Sequence, residues 1–198
     1  MIRTAVLVSG GGTNLQAILD ASRAGALPDV EIALVVSSTP KAYALTRASN
    51  AGVETAVLGK APDETIDAYG ERLIQLLQAH GIRLIALAGF LTILPENVIR
   101  AYDHRILNIH PSLIPAFCGQ GFYGLKVHEA ALARGVKLTG ATVHFVNEIP
   151  DGGDIIAQQA VAVLPGDTPQ TLQRRVMEEA EWKLLPAALE QVAADLSD

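Results

Sequence analysis

The stretch IRTAVLVSGGGTNLQAILDASR, residues 2–23, indicates the class of fold to which this chain belongs. Ile2–Val8 is short, apolar and ended by glycines, which predicts a buried β-strand. Asn14–Arg23 follows with Leu15, Ile18 and Leu19 on one face, which predicts an amphipathic helix. A strand that leads through a glycine turn into a helix is the first unit of a βαβ arrangement, so we expect an α/β fold.

The same alternation of strands and helices continues along the chain. The predicted strands that follow are Ile32–Val36, Val53–Leu58, Ile82–Ala88 and Arg105–Ile109, and the predicted helices are Ala42–Ala51, Asp63–His80 and Pro95–Tyr102. Ile82–Ala88 is nearly continuously apolar, as expected for a strand with both faces covered. The alternation therefore predicts a doubly wound parallel sheet.

The last third of the chain follows a different pattern. Thr139–Val146 and Ile155–Val163 predict two strands joined by the turn-rich loop Asn147–Asp154. One helix is expected from about Thr168 to Asp195, bent at Pro186. We therefore expect an α/β fold with a doubly wound, mostly parallel sheet, a small antiparallel extension and a long C-terminal helix. The prediction is a single domain, 1–198, with a phosphate-binding parallel half at 1–110 and a second half at 111–198.

Composition excludes several classes of protein. Net charge is −6, and the basic residues are scattered, so nucleic-acid binding is not expected. No apolar run is long enough for a membrane helix, and no signal peptide is evident. Cys118 is the only cysteine, which excludes an intramolecular disulfide and a multi-cysteine zinc site. We expect a cytoplasmic protein that acts on small molecules, as a monomer or a homodimer.

The glycine turn Ser9–Leu15 is the first candidate site. Glycines let the backbone approach a ligand, and the free N–H groups at a helix start favour an anion, so Gly12, Thr13 and Asn14 are candidates to hold a phosphate. A plain turn with Thr13 or Asn14 as the helix cap is equally compatible. The segment lacks the lysine of a Walker A loop and carries Leu15 where a dinucleotide fingerprint has its third glycine.

The stretch NIHPSLIP, residues 108–115, is the second candidate site. Period-two alternation places Asn108 and His110 on one side of a strand, at the carboxyl end where ligands bind in open α/β sheets. An asparagine amide and an imidazolium are both donors, which suits an oxyanion that develops on an attacked carbonyl. The alternative is a strand-end asparagine beside a histidine satisfied by backbone groups.

Asp151 completes this candidate site if the turn-rich loop brings it to His110. A carboxylate there would raise the imidazole pKa and keep the ring charged; otherwise Pro150-Asp151-Gly152 is a plain β-turn. His144 shares a face with Thr142 and either lines the site or is a satisfied core histidine. The remaining histidines are expected at helix ends or on the surface: His80, His104 and His128. Cys118 has no visible base beside it, so a nucleophilic role is not expected.

Five stretches occur together in this sequence: SGGGTNLQAI (9–18), LAGF (87–90), LNIHPSL (107–113), GATVHFV (140–146) and DGG (151–153). In this combination the chain resembles the folate-dependent phosphoribosylglycinamide formyltransferases of purine synthesis, over essentially its whole length. The resemblance implies a Rossmann-like formyltransferase fold in which 111–198 is the folate-side half. It also implies formyl transfer from the co-substrate 10-formyltetrahydrofolate to the amine of glycinamide ribonucleotide, with no metal.

The resemblance further implies roles for particular residues. Asn108 and protonated His110 would stabilise the oxyanion, while Asp151 would keep His110 charged. The acceptor would be held by Gly12, Thr13 and Asn14 at its phosphate and by Glu181 at its amide or amine. The folate would contact Leu91, Thr92, Ile93, Leu94, Asn108, Asn147, Glu148, Ile149 and Pro150. Thr92 stands where relatives often carry arginine, and the last helix matches only with a one-residue shift around Arg174–Val176.

Other functions remain open at this level. Glu181 could be one charge on a solvated helix face. Formyl transfer to another amine, such as a nucleotide sugar, would use the same three catalytic residues. A non-catalytic ligand-binding α/β domain would keep the glycine turn, yet would have no reason to pair Asn108 with His110. An initiator-tRNA formyltransferase would need a further domain and a basic surface, and a formyl-folate hydrolase normally carries an extra N-terminal domain, so neither is expected.

Overall fold

A computed structural model describes residues 1–197 of the chain, and its strands form one seven-stranded sheet. The strands are β1 Ile2–Val8, β2 Val30–Ser37, β3 Thr55–Val57, β4 Leu84–Leu87, β5 Ile106–His110, β6 Leu138–Phe145 and β7 Ile155–Ala162. The helices are α1 Thr13–Arg23, α2 Tyr43–Asn50, α3 Ile66–Ala79, α4 Glu96–Ala101, α5 Leu125–Arg134, α6 Pro169–Val176 and α7 Trp182–Asp195, with a π-helical segment, Met177–Glu181, between the last two.

The strands lie in the order β3-β2-β1-β4-β5-β6-β7. The first five are parallel, whereas β6 pairs antiparallel with β5 and β7 pairs antiparallel with β6. The chain winds outward from β1 in one direction and from β4 in the other, so the order reverses between these two strands. Ligands of doubly wound sheets bind at the carboxyl ends of the strands beside such a reversal.

Alternate residues of β1 belong to two hydrophobic layers, one on each face of the sheet. Val6 and Val8 pack in the layer that contains α1, α2, α6 and α7. Ala5 and Leu7 pack in the layer that contains α3 and α4. Burial on both faces explains why the central strands are apolar throughout. No helix within residues 1–197 is both long enough and apolar enough to span a bilayer.

The predicted fold class is confirmed, and every predicted strand and helix is present with bounds that differ by a few residues. Two differences concern helices. The sequence patterns predict no helix at Leu125–Arg134, where α5 lies. The predicted helix Thr168–Asp195 begins at Pro169 and is interrupted by the π-helical segment, before Pro186 is reached.

Candidate active site

The candidate active site lies at the carboxyl ends of the parallel strands, where β5 meets the antiparallel strand β6. Asn108 and His110 are on β5, and their partners across β6 are His144 and Thr142 respectively. Alternation along β5 puts Asn108 and His110 on the same side, as the sequence predicts. His110 and His144 are buried and Asn108 is half-buried, so the two imidazole rings are largely shielded from water.

Asp151 reaches this cluster from the turn that follows β6. One carboxylate oxygen, Oδ2, lies 3.4 Å from Nδ1 of His110, and the other, Oδ1, lies 3.6 Å from Nε2 of His144. The amide Nδ2 of Asn108 is 3.5 Å from the same Oδ1. The structure thus brings together the amide, the imidazole and the carboxylate that the sequence places in separate segments.

The backbone of the Asp151 turn is constrained. Asp151 has φ of 55°, in the left-handed region that few non-glycine residues adopt. Next to it, a Cβ atom on Gly153 would collide with the carbonyl oxygen of Phe145, so only glycine lets the turn pack this closely on the end of β6. The backbone N–H of Gly119 also donates a 2.8 Å hydrogen bond to Oδ2 of Asp151. The carboxylate is therefore fixed from two sides.

These contacts favour the ionised form of Asp151. Burial alone would raise its pKa, but contacts with His144 and the Gly119 N–H, together with the nearby charges of His110 and His144, lower the pKa below its ordinary value. Nε2 of His110 donates a 2.9 Å hydrogen bond to the carbonyl oxygen of Phe117, while Nδ1 faces the carboxylate. Both ring nitrogens face acceptor oxygens, an arrangement that the doubly protonated imidazolium satisfies.

His144 belongs to the cluster, which settles the alternative left open by the sequence. Its Nδ1 donates a 2.7 Å hydrogen bond to the carbonyl oxygen of Phe145, and its Nε2 lies 3.2 Å from Nδ2 of Asn108. The ring therefore contacts both the amide and the carboxylate of the site. The signal in the sequence was its position on the same face of the strand as Thr142.

The glycine turn adopts a conformation that leaves its N–H groups free. Gly12 is the N-cap of α1 with φ of 74°, so the alternative in which Thr13 or Asn14 caps the helix is wrong, because the helix already begins at Thr13. The carbonyl oxygens of Gly10 and Gly11 accept hydrogen bonds from α2. Within the part of the chain that the structure describes, no N–H group of Gly11, Gly12 or Thr13 donates a hydrogen bond. Free N–H groups at a helix start can bind an anion.

Asn14 and Glu181 connect the glycine turn to the end of the chain. Nδ2 of Asn14 donates a 2.7 Å hydrogen bond to Oε2 of Glu181. Glu181 is only 6% exposed, so the alternative of a charge on a solvated face is wrong. Burial raises the pKa of Glu181, although the hydrogen bond from Asn14 opposes the change. The π-helical segment that contains Glu181 directly follows Arg174–Val176, where the sequence matches the family only with a one-residue shift, and a π-helical turn holds one residue more than an α-helical turn.

The segments expected to contact folate lie partly on the surface. Leu91 and Ile93 are 69% and 77% exposed, whereas Leu94 is buried in the layer with α3 and α4, because it anchors the loop between β4 and α4. Asn147, Glu148, Ile149 and Pro150 are exposed. An open cleft of about 390 Å³ lies between α4 and this loop, lined by Ile99, Arg100, Asp103, Asn147, Glu148 and Ile149.

Charged groups at this cleft connect the loop to α4. Nη2 of Arg100 lies 2.7 Å from Oε1 of Glu96 and 3.9 Å from Oε1 of Glu148. The neighbouring carboxyl group of Glu96 raises the pKa of Glu148.

Cys118, in the loop next to the Asp151 turn, has a pKa raised by burial and by the charge of Asp151, so its thiol is a poor nucleophile. Among residues 1–197, no group of three or more metal-ligating side chains is arranged to hold a metal ion.

Comparison with known proteins relates this geometry to one family. The family model described as "Formyl transferase" matches residues 2–189. The crystal structure of glycinamide ribonucleotide transformylase 1 from Symbiobacterium toebii is 45% identical with a TM-score of 0.91, over 98% of this chain and 89% of that one. The phosphoribosylglycinamide formyltransferase of Haemophilus influenzae is 37% identical, over 96% of this chain and 86% of its own length.

A plant relative is longer than this chain. The chloroplastic phosphoribosylglycinamide formyltransferase of Arabidopsis thaliana is 40% identical over 92% of this chain, which spans 62% of that relative's length. The family model nevertheless covers nearly the whole chain, including both strands that carry the polar cluster. The chain therefore belongs to the formyl transferase family.

Proposed function

We propose that this protein transfers the formyl group of 10-formyltetrahydrofolate to the amine of glycinamide ribonucleotide, a step of de novo purine synthesis. The observation that carries the proposal is the contact of Asp151 with His110, Asn108 and His144. The free N–H groups of the glycine turn, at the same edge of the sheet, are suited to the acceptor's phosphate. The names of the relatives in the family agree with this reaction.

The reaction joins the acceptor nitrogen to the formyl carbon and breaks the bond between that carbon and N10 of the folate. Attack by the amine leaves negative charge on the formyl oxygen. The Asn108 amide and the His110 imidazolium would donate hydrogen bonds to this oxyanion. The amine loses a proton and N10 gains one, and His110 would relay it. The ionised Asp151 would stay beside the ring throughout and favour its charged form before and after the relay.

Substrate binding requires one change at His110. In the structure the Phe117 carbonyl oxygen accepts the hydrogen bond from Nε2 of His110. The formyl oxygen of a bound donor would take over this hydrogen bond, since one N–H serves one strong acceptor at a time. The second N–H of Asn108 makes only a long contact of 3.5 Å to Asp151, so it is the group most readily turned to the oxyanion.

The two substrates would approach the cluster from different elements. Gly12, Thr13 and Asn14 would hold the acceptor's phosphate, and Glu181 would accept a hydrogen bond from its amide or amine. The folate would lie against Leu91, Thr92 and Ile93 and against the loop Asn147–Pro150. Thr92 carries no charge, so backbone groups would make the polar contacts there; Leu94 would support this wall from the core. A cytoplasmic location and a monomeric or homodimeric state remain predictions from the sequence.

An absorbance assay tests this proposal by following the deformylated folate. The purified chain should turn over with glycinamide ribonucleotide, and His110→Ala should lower kcat by about 10² or more, the scale of losing a general acid or an oxyanion donor. His104→Asn, which removes an exposed imidazole, should leave kcat unchanged. Wild-type turnover in His110→Ala would overturn the mechanism, and activity only with a different amine, such as a nucleotide sugar, would overturn the acceptor assignment.

A further inference from the structure

The glycine turn depends on α2 for its shape. The N–H of Ala44 donates a 3.1 Å hydrogen bond to the carbonyl oxygen of Gly10, and Nε of Arg47 donates a 2.8 Å hydrogen bond to the carbonyl oxygen of Gly11. Two consecutive carbonyl groups of the turn are therefore directed to α2. Three consecutive glycines have more backbone freedom than any other tripeptide, so these contacts restrict a segment that would otherwise sample many conformations.

Arg47 is held in place by its own neighbours. Its Nη1 donates a 3.0 Å hydrogen bond to Oε1 of Gln16 on α1, and its guanidinium carbon lies 5.1 Å from the ring centre of Tyr43. The side chain thus connects α2, the glycine turn and the first turns of α1. No carboxylate oxygen within residues 1–197 lies within 4 Å of its nitrogen atoms. Arg47 therefore contributes a positive charge, unbalanced by an adjacent carboxylate, beside the turn.

We propose that Arg47 is a positioning residue for binding of the acceptor's phosphate; this inference rests on the proposed function. Arg47 holds the Gly11 carbonyl against α2 and so fixes the N–H of Gly12, which shares its peptide plane. Together with Ala44, which fixes the N–H of Gly11 in the same way, it keeps the N–H groups of the turn available to the phosphate before it arrives. Prior restriction of the turn lowers the conformational entropy that binding must remove. The charge of the guanidinium adds a favourable long-range interaction with the dianion.

Kinetics of three variants test the inference. Arg47→Gln should raise KM for glycinamide ribonucleotide by about tenfold or more, the scale of one charge-assisted hydrogen bond, with kcat and KM for the folate within about twofold. Arg47→Lys keeps the charge and should fall between wild type and Arg47→Gln. Arg23→Gln removes an exposed arginine at the end of α1 that makes no side-chain hydrogen bond within residues 1–197, and should change nothing. A general loss of kcat and folate binding in Arg47→Gln would show a merely structural role and overturn the inference.

A binding measurement separates this inference from the proposed function. Titration calorimetry measures the binding of ribose 5-phosphate and requires no formyl transfer. Arg47→Gln should weaken this binding by about the same factor as it raises KM for glycinamide ribonucleotide. Ribose, which has no phosphate, should bind no variant measurably. Phosphate binding that depends on Arg47 in a chain that does not formylate glycinamide ribonucleotide would support the inference and refute the function. Formyl transfer with ribose 5-phosphate binding insensitive to Arg47→Gln and Arg47→Lys would refute the inference alone.

Discussion

Asn14, in the first turn of α1, donates a 2.7 Å hydrogen bond to Glu181, which lies 167 residues later in the chain. The contact joins the end of the glycine turn to the π-helical segment. It also explains how a carboxyl group is retained in a nearly fully buried position, since the amide supplies one of the hydrogen bonds that water would otherwise provide.

Glu181→Gln should separate stability from acceptor binding. Burial raises the pKa of Glu181, so in wild type its ionisation destabilises the folded state as pH rises above its ordinary value of 4.5. The neutral amide avoids this cost. We expect the variant to have a higher free energy of unfolding in urea at pH 7.5, with a gain that shrinks toward pH 4.5. KM for glycinamide ribonucleotide should rise, and a variant with lower stability and unchanged KM would contradict this account.

Asp151→Asn should reduce kcat without a large change in either KM. The variant removes the negative charge that pairs with His110, and asparagine tolerates the positive φ of this position. We expect kcat to fall by about 10², as for other losses of a group that acts on a general acid. Asp154→Asn is the matched control, because Asp154 is an exposed carboxylate in the same loop. Equal losses in the two variants would assign the effect to loop charge in general.

Gly12→Ala and Gly25→Ala should show how closely α2 packs on the glycine turn. Both glycines have φ of 74°, but a Cβ atom on Gly12 would lie 2.6 Å from Cβ of Ala44, whereas nothing lies within 4 Å of one on Gly25. Gly25→Ala should lower the free energy of unfolding by about 1 kcal/mol, the strain of an alanine in the left-handed conformation. Gly12→Ala should lower the free energy of unfolding, measured in urea, by more than Gly25→Ala does. It should also raise KM for glycinamide ribonucleotide. Adding Ala44→Gly should recover little of either loss, because Cα of Ala44 would still lie 2.8 Å from the added Cβ atom; full recovery would show that the methyl group of Ala44 is the only obstacle.

His128 predicts a pH dependence of stability. Both of its ring nitrogens are buried without a hydrogen-bond partner in residues 1–197, and burial together with the charge of His110 lowers its pKa from 6.5 to about 4. The unfolded chain therefore binds a proton that the folded chain does not, and stability should fall as pH drops from about 6.5 to about 4, by at most roughly 3 kcal/mol.

His128→Leu tests this dependence through urea unfolding at several pH values. The variant should lose the part of the pH slope that lies between about pH 6.5 and pH 4, because leucine does not titrate. His104→Asn, at an exposed histidine, should keep the wild-type slope. A His128→Leu profile parallel to that of wild type would assign the acid sensitivity to carboxyl groups instead.

The sequence predicts the fold well because the central strands and their helices follow simple hydrophobic periodicity. The helix α5 was missed because its buried face is small: Val127, His128 and Ala131. The signals present were the run of alanines and leucines and the left-handed Gly135 that ends the helix. His128 was expected at a helix end or on the surface; this was wrong, since α5 packs it inward with no exposure.

Residue types in the strands were enough to propose Asn108 and His110 as partners, since alternation fixes the side of a strand to which each points. The approach of Asp151 and His144 was not predictable in the same way. It depends on the antiparallel pairing of β5 with β6 and on a turn with positive φ, which are tertiary features. The contact of Arg47 with the glycine turn is not predictable from the sequence, because its partner is a backbone carbonyl group and such contacts leave no residue pattern.

The π-helical segment affects how the C-terminal region can change over evolutionary time. Its wider turn takes up one residue more than an α-helical turn, so α6 and α7 on either side keep the orientations of a continuous helix. A residue lost within Met177–Glu181 would therefore leave α7 with its apolar face on the sheet, whereas side chains inside the segment, Glu181 among them, would change direction. A lineage with a gap at this place would keep the fold and lose the buried carboxylate.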